Sequence, residues 1–215
     1  MDTTRQKDIL DKDRCSIPIS IIGVGGIGSP VCLCLAKMGF DNITVYDFDT
    51  VESHNIPNQF HIPNNIGKLK VDSMKELTNQ LTGCRIIPIN NRITQDSNQL
   101  KGIVICAIDN MPERKIILEK SEYAQLFIDA RMSAEKYSIT TIQPRLSKHI
   151  DFFNEGFYTK GDQEPCTAKS IMYCPMAIAG DIGSIVKRFI MNQKYPNFIY
   201  RDLLLDKQIL NYIGE

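Results

Sequence analysis

The sequence predicts an α/β fold: a Rossmann-like, mostly parallel sheet with helices on both faces. Three observations carry that expectation. Short apolar, β-branched runs alternate with segments of helical periodicity, the order that builds parallel sheets from crossover units. A glycine-rich turn, "GVGGIG" from Gly23 to Gly28, stands between the first apolar run and the first helical segment. The most apolar run, "GIVICAID", ends in an aspartate, where open sheets bind their ligands.

Each element has its own signal. Residues 1–16 are polar and charged and read as an N-terminal arm with a single helical turn. "IPISIIG" (17–23) is a buried strand. A helix runs from Gly26 to about Met38, with Ile27, Val31, Leu35 and Met38 forming one apolar stripe, Pro30 in its first turn and Gly39 at its end. "NITVYDF" (42–48) is the second strand, followed by the long polar loop "SHNIPNQFHIPNNI" (53–66). The periodicity of Val71, Met74 and Leu77 predicts a helix over 68–81. "RIIPIN" (85–90) and "GIVICAID" (102–109) are the third and fourth strands.

Pro112 opens a helix carrying Ile116, Ile117 and Tyr123. "LFIDA" (126–130) and "YSITTIQP" (137–144) are the fifth and sixth strands. Residues 145–165 read as loop-rich. Residues 171–190 read as a long closing helix, bent near Pro175 and Gly180, and the tail 196–215 as holding one short helix. The expected organisation is an arm (1–16), one nucleotide-binding type domain (17–195) and a tail (196–215).

Composition narrows the function classes. The chain has 215 residues, a formal net charge of zero and 43% hydrophobic residues. No bulk positive charge points to nucleic acid. No apolar run has the ~20 residues a membrane span needs, and the polar N-terminus is not a signal peptide. Seven cysteines without a C-x-x-C pair fit reduced thiols in a cytoplasmic protein.

The glycine turn carries the chemistry. Gly23, Gly25 and Gly28 satisfy G-x-G-x-x-G, and Gly26 widens the approach. Without Cβ atoms the backbone comes close to a phosphate, and the helix N-terminus offers free N–H groups. Asp47 and Asp49 end the second strand, where an acid holds ribose hydroxyls. Three features favour triphosphate chemistry over hydride transfer. The second strand runs into the polar loop "DFDTVESHNIPNQ"; Lys68 and Lys70 stand at a helix start; Asp109 and Asn110 end the fourth strand, where an aspartate can hold magnesium against phosphates.

These motifs resemble the ubiquitin-activating-enzyme-like adenylyltransferases, the family of ThiF, MoeB and the E1 adenylation domains. "GVGGIG", "DFDTV", "NIPNQ", "GKLK" and "DNMPER" follow that family's order and spacing, most specifically over residues 5–145. The resemblance implies that 17–195 is a ThiF-like adenylation domain. It implies an enzyme that binds ATP and Mg2+ and transfers AMP to the C-terminal glycine carboxylate of a small ubiquitin-like protein or peptide.

By the same resemblance, Gly23, Gly25, Gly26 and Gly28 line the phosphate loop and Asp49 holds the ribose. Asn55, Asn58 and Gln59 lie beside the phosphates. Lys70 touches them, and Asp109 is the magnesium-binding, catalytic aspartate with Asn110 and Arg114 in support. Arg5 with Gln6 matches an arginine-glutamine pair that reaches into a partner's site in family homodimers.

Three departures qualify the resemblance. The family has an arginine where this chain has Asn58, so one charged contact with the triphosphate is missing; Lys68, His54 and His61 are the candidate replacements. The paired C-x-x-C motifs that bind structural zinc in many relatives are missing, so no structural zinc is expected. Cys166, before a helix in "DQEPCTAKS", is the candidate nucleophile, with His149 as a spatial partner; the other cysteines read as small core residues. Arg131 and Lys136 are candidate receivers of a substrate carboxylate. Two other readings stay open: a nucleotide-binding scaffold without catalysis, and an NAD(P)-dependent oxidoreductase.

Overall fold

The computed structural model describes residues 2–158 and 171–214. Eight strands form one sheet in the order β3-β2-β1-β4-β5-β6-β7-β8. They are β1 (Ile19–Ile22), β2 (Ile43–Tyr46), β3 (Ile87–Ile89), β4 (Ile103–Cys106), β5 (Leu126–Ser133), β6 (Lys136–Ile142), β7 (Phe198–Asp202) and β8 (Lys207–Asn211). The first five are parallel in pairs; β6, β7 and β8 are antiparallel to their neighbours. The switch has a local cause. Only Ala134 and Glu135 separate β5 from β6, and so short a link can only reverse the chain. Ala134 takes φ 52° to make that turn.

Five helices cover the faces: α1 (Gly28–Met38), α2 (Lys70–Thr82), α3 (Met111–Lys120), α4 (Ser147–Tyr158) and α5 (Tyr173–Ile190). Alternation along the strands splits the interior in two. Ile103, Ile105, Leu126 and Ile128 point toward α1, α2 and α5, with Val31, Leu35, Met74, Ile178 and Ile182. Val104, Cys106 and Phe127 point the other way, against Ile117 of α3 and Phe153 of α4. Burial on both faces is why these strands read as continuous apolar runs. The stripes expected from Val71, Met74 and Leu77 and from Val31 and Leu35 are buried.

The structure corrects four expectations. Residues 147–158 form α4 rather than loop: Ile150 and Phe153, three residues apart, turn one face to the second core. α5 runs unbroken past Pro175 and Gly180. Pro175 sits in its first turn, where no helical N–H partner is lost, and Gly183 lets α1 approach: a Cβ there would stand 3.1 Å from Met38 Sδ and 3.2 Å from Cys34 Sγ. The tail forms the hairpin β7–β8, not a helix, because Ile199 plugs the core from an alternating strand. Tyr123 lies beyond α3 and is exposed.

Candidate active site

β1 and β4 are neighbours at the point where strand order reverses, so their outgoing loops part and leave a crevice. The glycine turn leaves β1 and Asp109 follows β4. The loops touch: a Cβ on Gly23 (φ 89°) would stand 2.9 Å from Ala107 O. Gly28 packs tighter still, its Cβ position 1.8 Å from Gly23 O. These two glycines hold the turn together. Gly25 and Gly26 differ, for Cβ atoms there would meet nothing closer than Gln59 Nε2 at 3.7 Å and Met132 Cε at 3.5 Å. They face the crevice.

Side chains fix the turn from behind. Asp47 Oδ2 accepts from Val24 N at 2.8 Å, and His61 Nε2 meets Val24 O at 3.1 Å. Ser29 donates to Gly25 O from its hydroxyl (2.7 Å) and its amide (3.1 Å), and Phe60 N donates to Ser29 Oγ. The carbonyls are thus turned inward. Among the described residues the amides of Gly25, Gly26 and Ile27 make no hydrogen bond, and they lead into the N-terminus of α1. That arrangement suits an anion. Gln59 lies alongside, its Oε1 buried with no hydrogen-bond partner among the described residues.

Of the two aspartates ending β2, the geometry separates the roles. Asp47 is buried and both its oxygens are engaged, with Val24 N and with Asp49 N at 2.9 Å. It is a tether. Asp49 is half-exposed and pairs with Lys70 Nζ at 2.9 Å, while the Lys70 side chain is only 9% exposed. Lys70 opens α2 and its N–H donates to Asp49 O. Asn55 is buried and structural on its oxygen side: Oδ1 accepts from Glu52 N, and Glu52 accepts from Asn55 N in return. Asn58 is half-buried, its carbonyl 3.7 Å from the Gly26 Cβ position.

Asp109 is exposed at the crevice, and its carboxylate makes no hydrogen bond or ion pair among the described residues. Its loop is braced. Asn110 caps α3 by accepting from Glu113 N at 3.0 Å. Arg114 is buried and donates to Ile108 O, to Asp129 and to Ala130 O at 3.0 Å, tying the residue before Asp109 to β5. Buried Asp129 also accepts from Arg131 Nε at 2.7 Å. Replacing Asp129 by alanine strands the Arg114 charge in the interior, and we expect a stability loss of about 3–5 kcal/mol in a denaturant titration. A loss under about 1 kcal/mol contradicts the brace.

Two other candidates are placed or engaged elsewhere: Arg5 lies at the far end of α1 and Lys136 is held by an ion pair. Arg5 is exposed on an arm that packs at the opposite end of α1: Gln6 Nε2 donates to Lys37 O, and Thr3 lies against Gly39. Eleven helical residues, about 16 Å, separate that end from the glycine turn of the same chain. Lys136 pairs with Asp202 on β7. None of the three candidate replacements for the Asn58 charge is placed to serve. Lys68 pairs with Glu76, His54 with Glu52 at the surface, and His61 is buried. Burial pushes His61 down to about 4, so the ring is neutral at pH 7.

Cys32 and Cys106 are pushed up to about 12 and Cys174 to about 11 by burial, which suppresses thiolate. Cys166 lies outside the described residues. His149, its suggested partner, accepts from Gln143 N. The residues that sequence reasoning passed over are Ser29, Ser73 and Asp129. A lone acid inside the apolar run "LFIDA" was the available signal for a buried ion pair.

The fold and crevice define a class: Rossmann-like domains with a glycine turn after the first strand and an exposed aspartate on the adjoining loop after the fourth. The chain belongs to the ThiF family, whose model matches residues 6–208. It is 31% identical over 121 residues to the NEDD8-activating enzyme E1 catalytic subunit of Dictyostelium discoideum, covering 54% of this chain and 27% of that protein. It is 45% identical over 64 residues to the adenylyltransferase and sulfurtransferase uba4 of Emericella nidulans, covering 29% of this chain and 13% of that one. The chain thus spans about a quarter or less of these relatives. Among solved structures, PaaA superposes with a TM-score of 0.74 at 19% identity, covering 94% of this chain and 75% of that one. E. coli MccB with ATP gives 0.73 at 18%, covering 95% and 66%. At these identities the likeness is one of fold.

Proposed function

We propose that the chain is an ATP-dependent adenylyltransferase that activates the C-terminal glycine carboxylate of a small ubiquitin-like protein or peptide as an acyl adenylate, releasing pyrophosphate. The observation that carries this reading is the juxtaposition, at one crevice, of glycine amides and the Asp109 carboxylate, both without hydrogen-bond partners among the described residues. Relatives named as NEDD8-activating and adenylyltransferase proteins support it.

The residues divide the work. Gly25, Gly26 and Ile27 amides receive phosphate oxygens at the positive end of α1. Asp49 takes the ribose hydroxyls on entry, and its pairing with Lys70 gives way so that the ammonium turns to the phosphates. Asp47, Ser29 and Arg114 hold the two loops in register. Magnesium fits the donor set: one exposed carboxylate, unpartnered among the described residues, suits an ion held largely by phosphate oxygens. Bound there, it supplies charge that eases the approach of one anion to another. Asp109 holds it.

A homodimer is part of this proposal, since the arm carries Arg5 away from its own crevice. Arg5→Ala and Asp109→Ala chains, each inactive alone, are expected to regain activity when mixed, because one site of each heterodimer is free of both lesions. Proven heterodimers that stay inactive reject action across the interface.

A second reading, a nucleotide-binding homologue that does not catalyse, draws on Asn58 and on the engagement of Lys68, His54 and His61 elsewhere. Pyrophosphate exchange into ATP, stimulated by a peptide ending in glycine, separates the two. ATP–Mg binding without exchange across such peptides favours the second.

A further inference from the structure

A polar chain runs beneath the glycine turn from α2. Asn65 Nδ2 donates to Ser73 Oγ at 3.0 Å, Ser73 Oγ meets His61 Nδ1 at 2.9 Å, and His61 Nε2 meets Val24 O at 3.1 Å. All four residues are buried, with Ser73 and Val24 at 0% exposure. The directions are forced. An amide nitrogen only donates, so Ser73 Oγ accepts from Asn65 and keeps its own hydrogen for His61 Nδ1, which is the bare nitrogen of a neutral ring that donates from Nε2. A backbone carbonyl only accepts, so His61 carries its proton on Nε2. The ring is the neutral Nε2–H tautomer, in keeping with its depressed basicity.

The consequence lies one bond away. In a planar trans peptide the C=O and the next N–H point in opposite directions. Val24 O belongs to the peptide whose N–H is that of Gly25. Drawing the carbonyl down to His61 turns the Gly25 N–H up into the crevice. Ser29 acts likewise on the following peptide, capturing Gly25 O and turning the Gly26 N–H outward. Asp47 fixes the preceding peptide through Val24 N–H, so the His61 bond is the one that a flip of the Val24–Gly25 plane must break.

We propose that His61 is a positioning residue for nucleotide phosphate, aiming the Gly25 amide through Val24 O and linking the turn to α2, the helix that begins with Lys70. This rests on reading the turn as a phosphate site. His61 is buried, and an apolar side chain in its place would leave Val24 O without this donor.

The test compares native protein with His61→Phe, which fills the space without a donor, and His61→Gln, whose amide can donate to Val24 O and accept from Ser73. Ligands are ATP–Mg, inorganic tripolyphosphate and adenosine, titrated calorimetrically. His61→Phe is expected to bind ATP–Mg and tripolyphosphate at least about tenfold more weakly with adenosine unchanged, and His61→Gln to recover most of the loss. Nitrogen-15 spectra of the native ring should show the Nε2–H tautomer. Unchanged tripolyphosphate affinity, an equal loss for adenosine, or an Nδ1–H ring overturns the proposal. If His61→Phe fails to fold, Ser73→Ala, which removes the hydroxyl that fixes the tautomer, must show the same phosphate-selective loss. Native protein that binds none of the phosphates sinks the phosphate-site reading instead, while the ring tautomer still decides whether the relay exists.

Discussion

Gly25→Val is expected to leave a folded protein that no longer binds ATP–Mg measurably. The Cβ position at Gly25 meets only the Gln59 side chain, at 3.7 Å and beyond, and Gly25 lacks the positive φ that Gly23 shows. Folding therefore tolerates a side chain, and stability should change by no more than about 0.5 kcal/mol, as for most exposed substitutions. The same Cβ and its two methyls occupy the space over the outward amides, where a phosphate oxygen must come within about 3 Å. A loss of at least about a hundredfold, near 2.7 kcal/mol, follows if the triphosphate cannot seat. Gly28→Ala is the opposite control: its Cβ would lie 1.8 Å from Gly23 O, so it should damage folding itself. Calorimetry and thermal melting check both. Native affinity for ATP–Mg in a folded Gly25→Val chain removes the phosphate from this turn.

That contrast shows where the sequence was legible and where it was not. The motif marked Gly23, Gly25, Gly26 and Gly28 as one set, because spacing alone carries no contact distances. Only the fold separates the pair that packs from the pair that faces the crevice. Position along the strand likewise left Asp47 and Asp49 equivalent, both acids at a strand end, and only the family resemblance assigned the ribose to Asp49. The alternation of a β-strand puts them on similar terms, and it took the position of Val24 N to make one a tether. The core strands were readable because burial on both faces leaves continuous apolar runs, as in Ile103–Cys106.

The outer elements were not readable, for reasons local to them. β8 is exposed along its whole length, so "KQILN" has no buried face to impose alternation. Leu203 to Leu205 form an apolar run that suggests a helix yet make the hairpin loop. α4 hides its apolar face among Lys148, Asp151, Asn154 and Gly156. Polar residues that serve through hydrogen bonds leave still less trace. His61 stood out only as a charge near a phosphate loop, and burial then made that charge unavailable. Its use depends on Ser73, twelve residues away, a separation no local pattern reports.

Asp109→Asn is expected to spare folding and nucleotide docking while lowering adenylation at least about a hundredfold. The carboxylate is exposed and makes no bond among the described residues, so the fold has no need of its charge. The neighbouring structure is independent of it: Asn110 caps α3 through its own side chain, and Arg114 braces the loop through Ile108 O rather than through Asp109. An amide keeps the shape. What it removes is one negative charge at the edge where a triphosphate and an incoming carboxylate must meet. Losing a single strong electrostatic contact at such a point typically costs ~10²–10³ in rate. Melting should be native, and ATP affinity without metal nearly so. With metal present, the native chain should gain affinity and the variant should not, which separates a metal-holding carboxylate from one that merely shapes the crevice. Exchange of pyrophosphate into ATP, driven by a glycine-ending peptide at saturating ATP–Mg, reads the chemistry. A variant that exchanges at the native rate takes Asp109 out of the mechanism, and the pairing of carboxylate and glycine amides across the crevice loses its catalytic meaning. Asn58→Arg completes the logic from the other side. It restores the charge that Lys68, His54 and His61 do not supply, so a gain in exchange in the native background, lost again with Asp109→Asn, would trace both effects to one triphosphate.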